Sequence, residues 1–139
     1  GCLMANIVDE HARKILDLNY DLIDEKSLYK KGSEYGRESQ CHVTIKYGFT
    51  KSYSDSEMKK HIKSIKPFKI NTTRISIFEN DDFDVVKLDV SSKILHDLNE
   101  KFSELPNEDE HPKYHPHITL AYVKKGMGKK FIKTRKTFF

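Results

Sequence analysis

The sequence is short of several things, and each shortage excludes something. No apolar run in the 139 residues approaches the roughly 18 that a membrane-spanning helix needs. Only two cysteines are present, Cys2 and Cys41, too few for a disulfide framework. A reducing, intracellular setting, the cytoplasm, is expected on that ground. Cys41 adjoins His42 but faces the other way in an extended chain, so it reads as a buried apolar residue and not a nucleophile. No signal peptide is expected at the start, where residues 2–8 read as a strand. Acidic residues are missing from residues 124–139, which hold seven Lys or Arg. Residues 1–123 carry 18 basic and 21 acidic side chains, so the net +4 combines a body of −3 with a terminal segment of +7. The positive total is therefore no evidence of a basic binding face; the segment could touch an anionic ligand, a partner or nothing. Apolar residues make up 37% of the chain against 33% charged, enough for the core of one domain.

What the chain does have is one stretch written twice. His42-Val43-Thr44-Ile45-Lys46-Tyr47 and His117-Ile118-Thr119-Leu120-Ala121-Tyr122 both read His, apolar, Thr, apolar, any, Tyr. Both have the β-branched and aromatic chemistry of strands. Side chains alternate along a strand. His42, Thr44 and Lys46 are therefore expected on one face, and His117, Thr119 and Ala121 on the matching face of the second copy. Val43, Ile45, Tyr47, Ile118, Leu120 and Tyr122 are expected in the core. Each copy sets an imidazole and a hydroxyl roughly 6–7 Å apart. Two such strands side by side would bring two imidazoles to one cleft.

The surroundings repeat as well. After the first strand, Asp9 is the expected N-cap of a helix with Ala12, Ile15, Leu16 and Leu22 inward. A long polar loop, residues 24–40, carries Tyr29, Tyr35 and Arg37 and leads into the first His strand, 41–49. Ser54-Asp55-Ser56-Glu57 reads as a capping box opening a helix with Met58, Ile62 and Ile65 inward, ended by Pro67. Phe68–Phe78 and Phe83–Val90 read as a hairpin around Glu79–Asp82. Ser91 or Ser92 caps a helix with the stripe Ile94, Leu95, Leu98, Phe102 and Leu105. The loop from Pro106 to Pro116 leads into the second His strand, 117–123. Lys14-Ile15-Leu16-Asp17-Leu18-Asn19 also has a near counterpart in Lys93-Ile94-Leu95-His96-Asp97-Leu98-Asn99. Each half thus runs strand, helix, polar loop, His strand. Two copies are too few for a solenoid and fit a module closing about a pseudo-two-fold axis. The expected fold is α+β, rich in antiparallel sheet, with helices packed outside and the His strands central. The domain is drawn as residues 1–125, in halves of about 1–67 and 68–125, followed by a basic C-terminal tail, 126–139.

Two imidazoles flanking one reacting group supply a general base and a general acid. A threonine two residues on can hydrogen-bond a phosphoryl oxygen and fix it between them. That set suits a phosphodiester, and a 2′-hydroxyl on the substrate can serve as nucleophile. Lys46 is read either as a phosphate contact or as a solvated lysine. Tyr35 and Tyr114 are read either as stacking platforms for a base or as exposed loop residues. His11, His61 and His96 are expected on helix surfaces. His111, His115 and His117 cluster as in a zinc site, but Pro116 and the lack of a nearby Cys or acid at ligand spacing weigh against it. No metal and no cofactor is expected.

On these motifs the chain resembles the 2H phosphoesterase superfamily, which includes the RNA ligase/cyclic phosphodiesterase-like proteins. The resemblance spans about residues 2–125. It is carried by His42–Phe49 and by Tyr114–Val123. It implies a bilobal fold with a central cleft, metal-independent phosphodiesterase chemistry, and catalytic roles for His42, Thr44, His117 and Thr119. Within the superfamily the chain looks most like small phage and viral members, some of which cleave cyclic or 2′-5′-linked oligonucleotides such as oligoadenylates that act as antiviral signals. The expected partner is a small oligonucleotide or an RNA end, with no membrane. Opening of 2′,3′-cyclic phosphates at RNA ends, or a non-catalytic nucleotide-binding module, are the alternatives. The second matched His and Thr count against mere binding.

Overall fold

Strand chemistry at the two motifs and at three further alternating segments, with a two-residue strand added at one edge, builds one antiparallel sheet. The computed structural model describes residues 2–61, 66–109 and 113–139. Among these, the strands are β1 (Leu3–Asn6), β2 (His42–Lys46), β3 (Asn71–Glu79), β4 (Phe83–Ser91), β5 (His117–Lys124) and β6 (Lys133–Thr134). The helices are α1 (Asp9–Leu22), α2 (Asp55–His61) and α3 (Lys93–Phe102). The sheet order is β1-β2-β5-β4-β3-β6, so the two His strands are its central neighbours. The fold is the expected α+β. No helix among the described residues is long and apolar enough to cross a membrane.

The repeat is visible in the topology. β1–α1–β2 and β4–α3–β5 are equivalent units related across the centre of the sheet. Their strands β2 and β5 meet at a single Cα pair, Val43 and Ile118. Beyond that pair each His strand is flanked by the other half's loop. Arg37 and Leu28 bridge Ala121 and Val123 of β5, while Asn107 bridges Phe49 just past β2. The helices cross over too: α1 packs on β5 and α3 on β2.

The core lies between helices and sheet. Val43, Ile118, Leu120, Leu95 and Phe102 are at most 1% exposed. Each such side chain contributes about 1.5–3 kcal/mol over an exposed one. Ser92 caps α3 by accepting from Leu95 N–H, and Ser54 accepts from Glu57 N–H at the start of α2. Asp9 does not cap α1: it is the first helical residue, and Val8 holds the cap position without a side-chain bond. A carboxylate there still favours the positive helix end. Ile94 faces solvent instead of joining the stripe. Ile62 and Ile65, expected inward on α2, lie outside the described residues. Residues 126–139 continue the fold: Gly128–Phe131 forms a 3-10 turn with Phe131 buried, and β6 pairs with β3.

Candidate active site

A one-residue break in the alternation shapes the site. In the β1–β2 ladder Leu3 pairs with Lys46 and Met4 with Thr44, which leaves Ile45 as an extra residue. In the β4–β5 ladder Val86 pairs with Ala121 and Lys87 with Thr119, which leaves Leu120 as an extra residue. Each His strand thus carries a β-bulge at the same place in its motif. A bulge exchanges the faces of all residues beyond it. Tyr47 and Tyr122 therefore leave the core, where strict alternation puts them, and line the cleft. Ala121 goes the other way and is wholly buried.

Before the bulges the alternation holds. Val43 and Ile118 meet in the core. The antiparallel sense of that pair sets His42 toward Thr119, and Thr44 toward His117, on the opposite face. The histidines are held alike. His42 Nδ1 lies 3.1 Å from Gln40 O, and His117 Nδ1 lies 2.8 Å from His115 O. A carbonyl only accepts, so Nδ1 carries the proton in both rings and Nε2 is left for a ligand. Burial pushes His117 below the usual imidazole value; Lys87 and His42 act in the same direction, while the His115 carbonyl and Asp89 oppose it.

A cavity of about 740 Å³ opens here. Its walls include Thr44, His117, Tyr47, Tyr122, Phe78 and Tyr114, whereas His42 and Thr119 are not among the lining residues. Tyr114 donates from its hydroxyl to Thr44 O at 2.7 Å, and burial raises its phenol. Tyr35 is not among the lining residues. Its ring instead packs edge-on to Tyr122 and against Phe83 and Tyr29. Lys46 lines the cavity, but it is neither solvated nor aimed at open space. It is buried, with Nζ 3.0 Å from Asp109 Oδ2. His115 lines the cavity, whereas His111 of the same cluster lies outside the described residues. Of the three helix histidines, His11 and His96 are exposed, while His61 is half-buried against Phe102.

The second half adds a polar group that motif reading passes over. Lys87, 6% exposed, pairs with Thr119 across the ladder. Its Nζ lies 2.5 Å from both Asp89 Oδ1 and Ser76 Oγ, and it sits over the Phe78 ring, which in turn abuts His117. The equivalent places in the first half hold Met4 opposite Thr44 and Asn6 opposite His42. The pseudo-symmetry is thus broken by one cation and one carboxylate. The alternation of Lys87 and Asp89 with Val86, Leu88 and Val90 was a signal of a polar face there, though not of which strand it would flank.

With this fold and this site described, comparison with known families adds one result. The sequence pattern of the 2′-5′ RNA ligase superfamily, the 2H phosphoesterases, matches residues 10–132, and the chain belongs to that superfamily. The match takes in both His motifs and runs on past residue 125. None of the curated proteins matches the chain.

Proposed function

We propose that the protein is a phosphodiesterase that cleaves small oligonucleotides, cyclic or 2′-5′-linked, by general acid–base catalysis between His42 and His117 without a required metal. The observation that carries this reading is the mirror arrangement of His42, Thr44, His117 and Thr119 about the Val43–Ile118 pair, with each Nδ1 held by a carbonyl. Superfamily membership supports phosphodiester chemistry. His117, kept neutral by burial, takes the proton from the attacking oxygen, a 2′-hydroxyl or a water. That oxygen bonds to phosphorus as the P–O bond to the leaving oxygen breaks, and His42 delivers a proton to the leaving oxygen. Thr44 and Thr119 donate to the non-bridging oxygens, whose charge grows in the transition state. The aromatic walls suit bases on either side of the phosphate. Signalling oligonucleotides of the antiviral kind fall within this substrate class.

The test is a panel of linear 3′-5′, linear 2′-5′ and cyclic oligonucleotides, with 2′,3′-cyclic-phosphate ends included, incubated with and without EDTA and read by mass spectrometry. Cleavage of at least one small oligonucleotide, unchanged by EDTA and lost in His42→Ala and His117→Ala, is expected. Turnover of RNA ends alone would move the substrate to the cyclic phosphate. Binding without cleavage across the panel would defeat the enzymatic reading.

A further inference from the structure

The two bulges are held from across the molecule. Ile45 and Leu120 are the extra residues of the two ladders and occupy the same place in the two motifs. The carbonyl of each accepts a hydrogen bond from an asparagine on the other half's helix. Asn99 of α3 donates from Nδ2 to Ile45 O at 2.7 Å, and Asn19 of α1 donates to Leu120 O at 2.8 Å. These asparagines are themselves the last matched residues of the repeated Lys-Ile-Leu segment.

The orientation of Asn19 is fixed. It is 1% exposed, and its Oδ1 and backbone carbonyl both accept from Arg37 Nη1 at 2.9 Å, which leaves Nδ2 to Leu120. Arg37 is held in turn through Nη2 by Ile23 O. The Leu120 carbonyl also accepts from Glu38 N–H at 2.8 Å. Asn99 is half-buried and forms part of the cavity wall.

A bulge leaves its extra residue unpaired and the ladder locally disrupted, and a shift of one residue there turns every later side chain to the other face. The residues at stake here are Tyr47 and Tyr122, two positions beyond the bulges and both in the cavity wall. We propose that Asn19 and Asn99 are positioning residues of the site. Each pins the bulge of the other half's His strand and so fixes Tyr122 and Tyr47, respectively, in the cavity. Neither touches the reacting atoms. An amide suits the task because it donates to a buried carbonyl without bringing in a charge; a carboxylate would face that carbonyl with no proton to give.

The signature of this arrangement is that its effects cross between halves. Tyrosine-labelled protein, with ring 13C in the seven tyrosines and signals assigned by single Tyr→Phe changes, reads it without any substrate. Asn99→Ala and Asn99→Asp are expected to move the Tyr47 ring signals and leave Tyr122 in place. Asn19→Ala is expected to do the reverse. Should Asn19→Ala fail to fold, the half-buried Asn99 still decides the matter. The kinetic arm rests on the phosphodiesterase reading and uses whichever panel oligonucleotide is cleaved. There kcat/KM should fall roughly 10- to 100-fold, as for other displaced sites, with the pH midpoints little changed. Asn99→Ala should couple with Tyr47→Ala in a double-mutant cycle and add independently to Tyr122→Ala. If both ring signals stay put in the Asn99 variants, or both move alike, the proposal is overturned whatever the panel shows. An unchanged kcat/KM with the crossed shifts present would likewise end the positioning role.

Discussion

A histidine carries protons for a substrate only when one ring nitrogen is held and the other is left open. His42 and His117 both meet that condition through a carbonyl two residues upstream. His42→Ala and His117→Ala should therefore each lower kcat roughly 10²–10⁴-fold on a cleaved oligonucleotide. Both should keep the wild-type Tm within a few degrees, since the rings lie off the main core; near-normal turnover in either would sink the paired mechanism. The pH profile should be bell-shaped, with its two midpoints belonging to the coupled pair. Its acidic limb reports loss of the neutral base. Because the fold lowers His117, that limb should lie below the ordinary imidazole value of 6.5. Lys87→Met copies the residue at the matching place in the first half, Met4. It removes a cation that lowers His117 and leaves Asp89, which raises it. The sign is then fixed: the acidic midpoint should move up, and a downward move would mean that His117 is not the base. The His and Thr residues proposed for the site are legible in the sequence because motif identity alone defines them. The pairing of Lys46 with Asp109 was not, because 63 positions separate the two and no local pattern links them.

At the scale of the element, alternation predicted the strands and the first three residues of each His strand, and then misplaced Tyr47, Ala121 and Tyr122. The bulges leave no mark in the period-two pattern because Thr44, Ile45, Lys46, Tyr47 and Thr119, Leu120, Ala121, Tyr122 read on paper as an alternation that simply continues through Ile45 and Leu120. The repeat itself did carry a clue, since a conserved spacing from His to Tyr makes sense only if both tyrosines do the same thing. The terminal segment is the second such case. Its charge suggested a tail, but two of its apolar residues decide otherwise. Phe131 is 5% exposed, and Phe138 N–H donates to Thr72 O at 3.0 Å, alongside Arg135 N–H to Thr73 O. The turn ahead of Phe131 is tied down by Asp84, fully buried, whose Oδ2 accepts from Gly126 and Gly128 N–H. Gly126 takes φ +85°, a conformation that favours glycine. Deleting residues 129–139 should therefore lower Tm, by on the order of 10 °C given the several kcal/mol that a buried Phe contributes. Phe131→Ala alone should account for about 3–5 kcal/mol of the loss in chemical denaturation. An unchanged melting curve after the deletion would show that the segment adds nothing to the fold.

Over the whole molecule, each half completes the other. The loop of residues 24–40 edges β5, the loop after α3 edges β2, and the helices cross to the opposite strands. The cleft is thus built from both halves. Charge is distributed on a different plan: +7 on residues 124–139 against −3 on the rest. Part of that positive charge is answered locally. Lys125, Lys129 and Lys130 lie 3.6–3.8 Å from Asp84, Glu79 and Asp24. The pairs of Lys129 and Lys130 are exposed and worth little, and only Lys125 meets a buried carboxylate, so most of the segment's field stays in place. Lys124 stands opposite Phe83, which lines the cavity, so this field reaches the mouth of the site. A phosphodiester substrate is an anion and should be drawn in by it. Raising the salt from about 50 to 500 mM shortens the screening length to a few Å and should lower kcat/KM through KM. Replacing Lys124, Lys133 and Lys136 by Gln removes three charges without touching Phe131 or Phe138. That variant should keep kcat at saturation, raise KM several-fold at low salt, and show a flatter dependence of kcat/KM on salt. Stability should hold, since all three side chains are exposed. A fall in kcat with Tm unchanged would place one of the three lysines in the chemistry itself. Identical salt curves for the variant and the wild type would show that the basic segment faces away from the path the substrate takes.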